Sequence, residues 1–234
     1  MLYYFCYKAV VAWVGVPVGH EPAHVGLIPD GLRRWANTHG ATLTEAYLRG
    51  AQKVTEILLA LQRNDVRTVS VYNLSLANLG RPDAELDAVY EASIHFFSTL
   101  IPAHFDPAVC GVRLHGDRHL LPERYLAAAH DAETTMKGAD FRINVLAAYD
   151  SRNELRDAFR RAERDGCDIS DALEVGDVDL VIRTTPQRLL SGFLPLQSQY
   201  AQLVFLTTPL NDLDGRAIDD LIAEYRRSPQ LHGL

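Results

Sequence analysis

With 234 residues, 47% of them hydrophobic, the chain is long enough to bury one sizeable core, and nothing in its composition demands a second. A net charge of -7, with the acidic residues spread along the chain, leaves no basic footprint for nucleic acid, so an anionic ligand must be held by a local cluster of Arg and backbone N-H groups. Cys6, Cys110 and Cys167 are far apart and form no C-x-x-C pair, which argues against a zinc motif or a disulfide framework and suits a cytoplasmic protein.

The residues from Met1 to Val18 are almost wholly apolar. Lys8 interrupts them, no charged region precedes them as in a secretory signal, and they are too short to span a bilayer comfortably. They read as an N-terminal extension, 1–22, ahead of a single domain over 23–234. From His24 onward, short apolar or β-branched runs alternate with segments of helical period. That pattern predicts an α/β fold with a central, mostly parallel sheet of six strands flanked by helices. The expected strands are 24–28, 67–74, 112–114, 141–147, 180–184 and 203–206.

Between the first two strands, Thr42 and Glu45 stand in capping-box spacing, and Tyr47, Val54, Ile57, Leu58 and Leu61 form the apolar stripe of a long helix. After the second strand, Pro82 and Asp83 open another helix, with Leu86, Val89, Tyr90, Ile94, Phe97 and Ile101 on one face. Two such helices on one sheet serve equally as core packing or as the walls of a hydrophobic cleft.

In an open α/β sheet, ligands collect beyond the strand C-termini. The first strand runs into Pro29, Asp30, Gly31, Leu32, Arg33, Arg34 and Trp35: a carboxylate, a glycine and two guanidiniums at a helix start. Free N-H groups and Arg side chains there suit a diphosphate, and a bridging Mg2+ would let Asp30 stand beside it. The plainer use of Asp30, as a helix cap, fits the same segment. The turns after the second strand (Ser75, Asn78, Arg81) and the fifth (Arg183, Arg188, Ser191) again gather Arg with hydroxyl or amide groups.

In order, these segments resemble the cis-prenyltransferases, the relatives of undecaprenyl diphosphate synthase. The likeness is carried by the run from His24 to Trp35, by Ser75, Asn78, Arg81 and Pro82, by Val112 to Asp117, by Asn144 to Tyr149, and by Asp179 to Thr184 with Ser191, Phe193, Gln197, Tyr200 and Ala201. The resemblance implies a magnesium-dependent transferase of prenyl groups, working as a homodimer. Asp30 would hold Mg2+ and assist departure of the donor diphosphate, which Gly31, Leu32, Arg33 and Arg34 bind. Arg183, Arg188 and Ser191 would bind the acceptor diphosphate, and Asn78 and Arg81 would orient the reacting groups. Trp35, Tyr47, Ser75, Tyr90 and Phe97 would line the hydrophobic pocket.

Several positions depart from the chain-elongating pattern. Leu32 replaces the usual Asn, Leu43 and Tyr47 the usual Arg and His, and Ala77 the usual Glu, while Thr185 and Pro186 replace two glycines, Leu189 an Arg and Gln202 a late metal-binding Glu. The first group of changes resembles the small branch that makes lavandulyl-type skeletons from dimethylallyl and geranyl diphosphates. Gln202 is retained as a weaker candidate metal ligand. Two other readings stay open: a regular short-chain synthase that takes isopentenyl diphosphate, and a non-catalytic partner subunit.

Overall fold

The computed structural model describes residues 21–228, so the apolar stretch before Glu21 lies outside the described residues. Six strands form one sheet in the order β3-β4-β2-β1-β5-β6, every neighbouring pair parallel. They are β1 (His24–Ile28), β2 (Thr68–Ser75), β3 (Cys110–His115), β4 (Phe141–Tyr149), β5 (Leu180–Arg183) and β6 (Gln202–Phe205). The expected strands agree to within a residue or two at each end, and the mostly parallel sheet is wholly parallel. All of β1 and β5 is buried, as both faces of a parallel sheet are covered and its strands therefore read as unbroken apolar runs.

The helices are α1 (Leu32–His39), α2 (Leu43–Arg63), α3 (Asp83–His95), α4 (Ile101–His104), α5 (Glu123–Thr135), α6 (Ser151–Asp165) and α7 (Gly215–Arg227). A π-helical turn, Phe96–Leu100, joins α3 to α4. The expected capping box opens α2: Glu45 N donates to Thr42 Oγ1 at 3.2 Å and Thr42 N donates to Glu45 Oε2 at 2.8 Å. Val54, Ile57, Leu58 and Leu61 of α2 and Val89, Tyr90 and Phe97 of the α3 segment are buried in the main core with the apolar residues of β1, β2 and β4.

The chain leaves β1 for β2 on one side and later returns to β5 on the other, so the strand order reverses at β1. Such a reversal opens a crevice at the strand C-termini. Here those termini carry the Asp30, Ser75 and Arg183 segments. On the sheet's second face, Phe193 fills the space that Gly26 leaves. A Cβ at Gly26 would stand 2.5 Å from Phe193 Cε1, and the Phe193 ring is fully buried.

Gly26→Ala should therefore destabilise the fold by about 1–3 kcal/mol through overpacking. A lower denaturant midpoint at an unchanged slope is the expected result.

Candidate active site

The site is built outward from the ends of β1 and β5, which lie side by side with Ile28 opposite Arg183. Two residues on, the Asp30 backbone is clamped by Thr184. Asp30 N donates to Thr184 Oγ1 at 2.8 Å, and Thr184 Oγ1 donates to Asp30 O at 2.9 Å. Gly31 follows with φ 96°, a left-handed conformation natural to glycine, and turns the chain into α1. No side chain caps α1 and its first turn carries no acid, so Leu32, Arg33 and Arg34 start a helix with free N-H groups.

The Asp30 side chain meets three donors. Gly31 N donates to Oδ1 at 2.6 Å, and Arg183 Nη2 and Thr185 Oγ1 donate to Oδ2 at 2.7 and 3.1 Å. Burial alone would raise the Asp30 pKa, but the Arg183 hydrogen bond, the Gly31 amide, the Arg183 charge and the Thr185 hydroxyl outweigh it and hold the carboxyl below its ordinary value. Arg183 is almost fully buried, with side-chain exposure of 6%. Its other donors reach Ser191 Oγ at 2.9 Å, Thr185 Oγ1 and Gln187 Oε1 at 3.3 Å, and the Leu189 carbonyl oxygen. Thr185, expected only as a departure from a glycine pattern, thus supplies a hydroxyl to both members of the pair.

A second polar cluster lies across the cleft around Glu85, a buried carboxylate of α3. Tyr47 OH donates to Glu85 Oε1 at 3.0 Å, Arg81 Nη1 lies 3.1 Å from the same oxygen, and Arg33 Nε lies at 3.6 Å. Arg81 Nη1 also donates to Tyr47 OH at 3.3 Å. Burial, partly offset by Arg81 and reinforced by Glu85, pushes the Tyr47 phenol up to about 12. Asn78 and Ser75 cap each other: Asn78 N donates to Ser75 Oγ at 3.1 Å and Ser75 N to Asn78 Oδ1 at 3.2 Å. The Asn78 amide hydrogens remain the groups it can offer a ligand.

Between the clusters runs a cleft of about 600 Å3. Asp30, Gly31, Leu32, Arg33, Arg34, Tyr47, Ser75, Asn78, Arg81, Phe97, Arg183 and Ser191 all line it. The other expected site residues do not. Trp35 turns outward: its Nε1 donates to Asp212 Oδ1 at 2.7 Å, its ring stacks on His39, and the Arg49 guanidinium lies 5.2 Å from the ring centre. Tyr90 is core, packed edge-on against Tyr125 at 5.9 Å. Arg188 is exposed on its loop, outside the cleft lining. Gln202 pairs in register with Leu180, three residues before Arg183 and so roughly 10 Å down the sheet from the site. That places it out of reach of a metal on Asp30 of the same chain.

Sequence reasoning missed Glu85, Thr185, Gln187, Tyr72, Asn73 and Ser93, all but Glu85 and Thr185 placed along the cleft wall. Glu85 left a signal: it stands four residues after Arg81, the spacing of an ion pair on a helix.

The description "Putative undecaprenyl diphosphate synthase" belongs to the family whose model matches residues 28–233 of this chain. The chain belongs to this family of prenyltransferases. Its activity is that of a cis-prenyl diphosphate synthase, whose substrates are allylic diphosphates. Curated relatives include "Isoprenyl transferase 2" of Bradyrhizobium diazoefficiens, 30% identical over 242 aligned positions that cover 96% of this chain and 95% of the relative. Another is the "Tritrans,polycis-undecaprenyl-diphosphate synthase (geranylgeranyl-diphosphate specific)" of Methanopyrus kandleri, 34% identical and covering 82% of this chain and 77% of the relative. Among solved structures, lavandulyl diphosphate synthase from Lavandula x intermedia, in complex with dimethylallyl diphosphate, superimposes with a TM-score of 0.81 at 23% identity, covering 90% of this chain and 97% of that one. A probable undecaprenyl diphosphate synthase from Campylobacter jejuni gives 0.73 at 20% identity. These two establish the shared fold.

The Asp30 and Arg183 pair makes a pH prediction. Because the folded carboxyl titrates below its ordinary value of 3.8, the stability it contributes is present above that value and is lost as pH falls through the lower folded one. In Arg183→Gln, the Asp30 carboxyl should titrate higher, read from its carbon NMR shift, and the acid limb of the stability curve should be shallower.

Proposed function

We propose that this prenyltransferase is an irregular synthase that joins dimethylallyl diphosphate to a C5 or C10 allylic diphosphate, head to middle, giving a lavandulyl-type branched diphosphate. The observation that carries the reading is the lining of the cleft around Leu32 and Tyr47. Leu32 presents an alkyl group there, and Tyr47, tied to Glu85 and Arg81, keeps its proton at neutral pH. Neither can accept a proton from an ordinary homoallylic acceptor.

Asp30 fits a magnesium site of the shared kind. It is ionised at neutral pH, it opens on the cleft, and Mg2+ commonly takes one or two protein carboxylates with phosphate oxygens and water. Among the described residues there is no group of three or more His, Cys, Asp or Glu to cage the ion alone, so the diphosphate would complete its shell. Mg2+ bound there would neutralise charge on the leaving oxygens. Asp30 would hold it through the oxygen that accepts the Gly31 amide alone, while Arg183 with Ser191 would take the second diphosphate. The α1 N-terminus, Gly31, Arg33 and Arg34 bind the donor head group.

The donor's C1–O bond breaks, C1 bonds to C2 of the acceptor double bond, and the resulting tertiary cation loses a proton to form the new alkene. The departed diphosphate takes that proton, since Asp30 is held below its ordinary range and Tyr47 above its own. Val54, Val89 and Phe97 give the cation a dry wall. The homodimer expected of the family would use the edge strand β6, where Leu203 is 44% exposed.

A second reading, a regular cis-synthase using isopentenyl diphosphate, is favoured by the names of the relatives in the 30–34% identity range. Incubation with Mg2+ and dimethylallyl diphosphate, with and without geranyl or isopentenyl diphosphate, separates the two by product mass spectrometry. A branched alcohol formed without isopentenyl diphosphate is the expected product; product only when it is present would establish the regular enzyme, and none with any pair would favour a partner subunit. Asp30→Ala should lower kcat by at least about 100-fold. Arg183→Ala, losing charge-assisted bonds to one head group, should raise the acceptor KM roughly 10- to 100-fold and the donor KM much less.

A further inference from the structure

The loop after β5 holds a serine in a backbone conformation that serine rarely adopts. Ser191 and Gly192 are the central residues of a turn closed by Phe193 N, which donates to the Leu190 carbonyl at 3.0 Å. Both have positive φ, 54° at Ser191 and 82° at Gly192. A turn of that kind suits glycine, asparagine or aspartate, so a serine at its first central position is held against its own preference. Such strain persists only where the surroundings over-determine it, and it gathers at ligand clamps.

The contacts that hold Ser191 come from different segments. Phe193, fully buried against Gly26, anchors the far side of the turn. Arg183 Nη1 donates to Ser191 Oγ at 2.9 Å, and Tyr72 OH donates to the Ser191 carbonyl oxygen at 3.1 Å. Tyr72 stands three residues before Ser75 on β2, and it borders the cleft. Its ring lies 5.4 Å from that of Phe193 and 6.1 Å from that of Tyr149, centre to centre, so the phenol is fixed from behind. Burial, partly offset by the Ser75 hydroxyl and reinforced by Asp150, pushes that phenol up to about 12, and it keeps its proton at neutral pH. The proton is spent on Ser191, which leaves none to give a substrate.

The polar bonds to Ser191 differ in what a ligand does to them. An acceptor head group taken by Arg183 and Ser191 competes for the same guanidinium and hydroxyl that bond to each other here. The Tyr72 bond is made to the main chain and stands outside that competition. It therefore still fixes the left-handed turn when the acceptor is bound, and with it the direction of the Ser191 hydroxyl.

We propose that Tyr72 is a positioning residue for acceptor binding: through the Ser191 carbonyl it holds the left-handed turn that aims the Ser191 hydroxyl at the acceptor diphosphate. This rests on the diphosphate reading of the Arg183 and Ser191 end of the cleft, and not on which acceptor the enzyme takes.

The test is steady-state kinetics of the full-length protein with Mg2+, geranyl diphosphate as donor, and dimethylallyl or isopentenyl diphosphate as acceptor, whichever gives product. Tyr72→Phe keeps the ring packing and removes one hydrogen bond, so the acceptor KM should rise roughly fivefold while the donor KM stays within about twofold. The Ser191→Gly background decides the route. Glycine takes positive φ unaided, so there Tyr72→Phe should add less than about twofold to the acceptor KM. The same rise retained in that background would mean that Tyr72 acts on the acceptor directly. That result, an unchanged acceptor KM in Tyr72→Phe, or both KM values rising together would overturn the positioning role alone. No product from the wild type with either acceptor would overturn the diphosphate reading of the cleft and the positioning role with it.

Discussion

The site depends on one ion pair, Asp30 with Arg183, formed where β1 and β5 end side by side. Parallel strands bring their C-termini to one edge, so a carboxylate two residues past β1 and a guanidinium at the end of β5 meet at 2.7 Å. Burial makes the meeting compulsory, because a guanidinium with 6% side-chain exposure needs acceptors on every side. Arg183 finds them in Asp30, Thr185, Gln187, Ser191 and the Leu189 carbonyl, and in doing so shapes the loop that follows β5. An anion entering the cleft offers those donors a stronger acceptor, and a cation offers Asp30 a stronger partner. A diphosphate with its metal is both at once.

Glu85 does on the opposite wall what Arg183 does beneath the first turn. One buried carboxylate gathers Tyr47, Arg81 and Arg33 from three different segments and fixes the mouth of the cleft. Beyond it the lining turns apolar through Val54, Val89 and Phe97, with Asn73 and Ser93 the polar exception. Charge at the mouth and hydrocarbon inside match an amphipathic substrate with an anionic head. Such a gradient also separates the two demands of allylic ionisation, which needs positive groups around the leaving oxygens and a dry wall around the carbon.

Much of this was legible in the sequence, for local reasons. The strands are short buried runs and the long helix carries its capping box, so both are set by neighbouring residues. The Asp30 to Arg34 turn and Arg183 stood out because polar groups at strand ends are where a parallel sheet binds ligands. What was not legible depends on side-chain direction. Trp35 belongs to the same motif as Asp30, yet Asp212, far along the chain, draws its indole outward. Tyr90 and Phe97 share one helical stripe and both pack edge-on against Tyr125, yet of the two Phe97 alone borders the cleft. The place of Gln202 needed the β5–β6 register, which sets it beside Leu180 and away from Asp30 of the same chain. Asn73 needed a bulge, which no periodicity announces.

Asp30 and Arg183, on this reading of the cleft, each serve one of two ligand head groups, one on each side of their contact. Calorimetric titration with inorganic pyrophosphate in the presence of Mg2+ decides it. Two equivalents should bind the wild-type chain, and one of them should be lost in Arg183→Ala while the other is retained. A single equivalent in both proteins, or two in the variant, would contradict it.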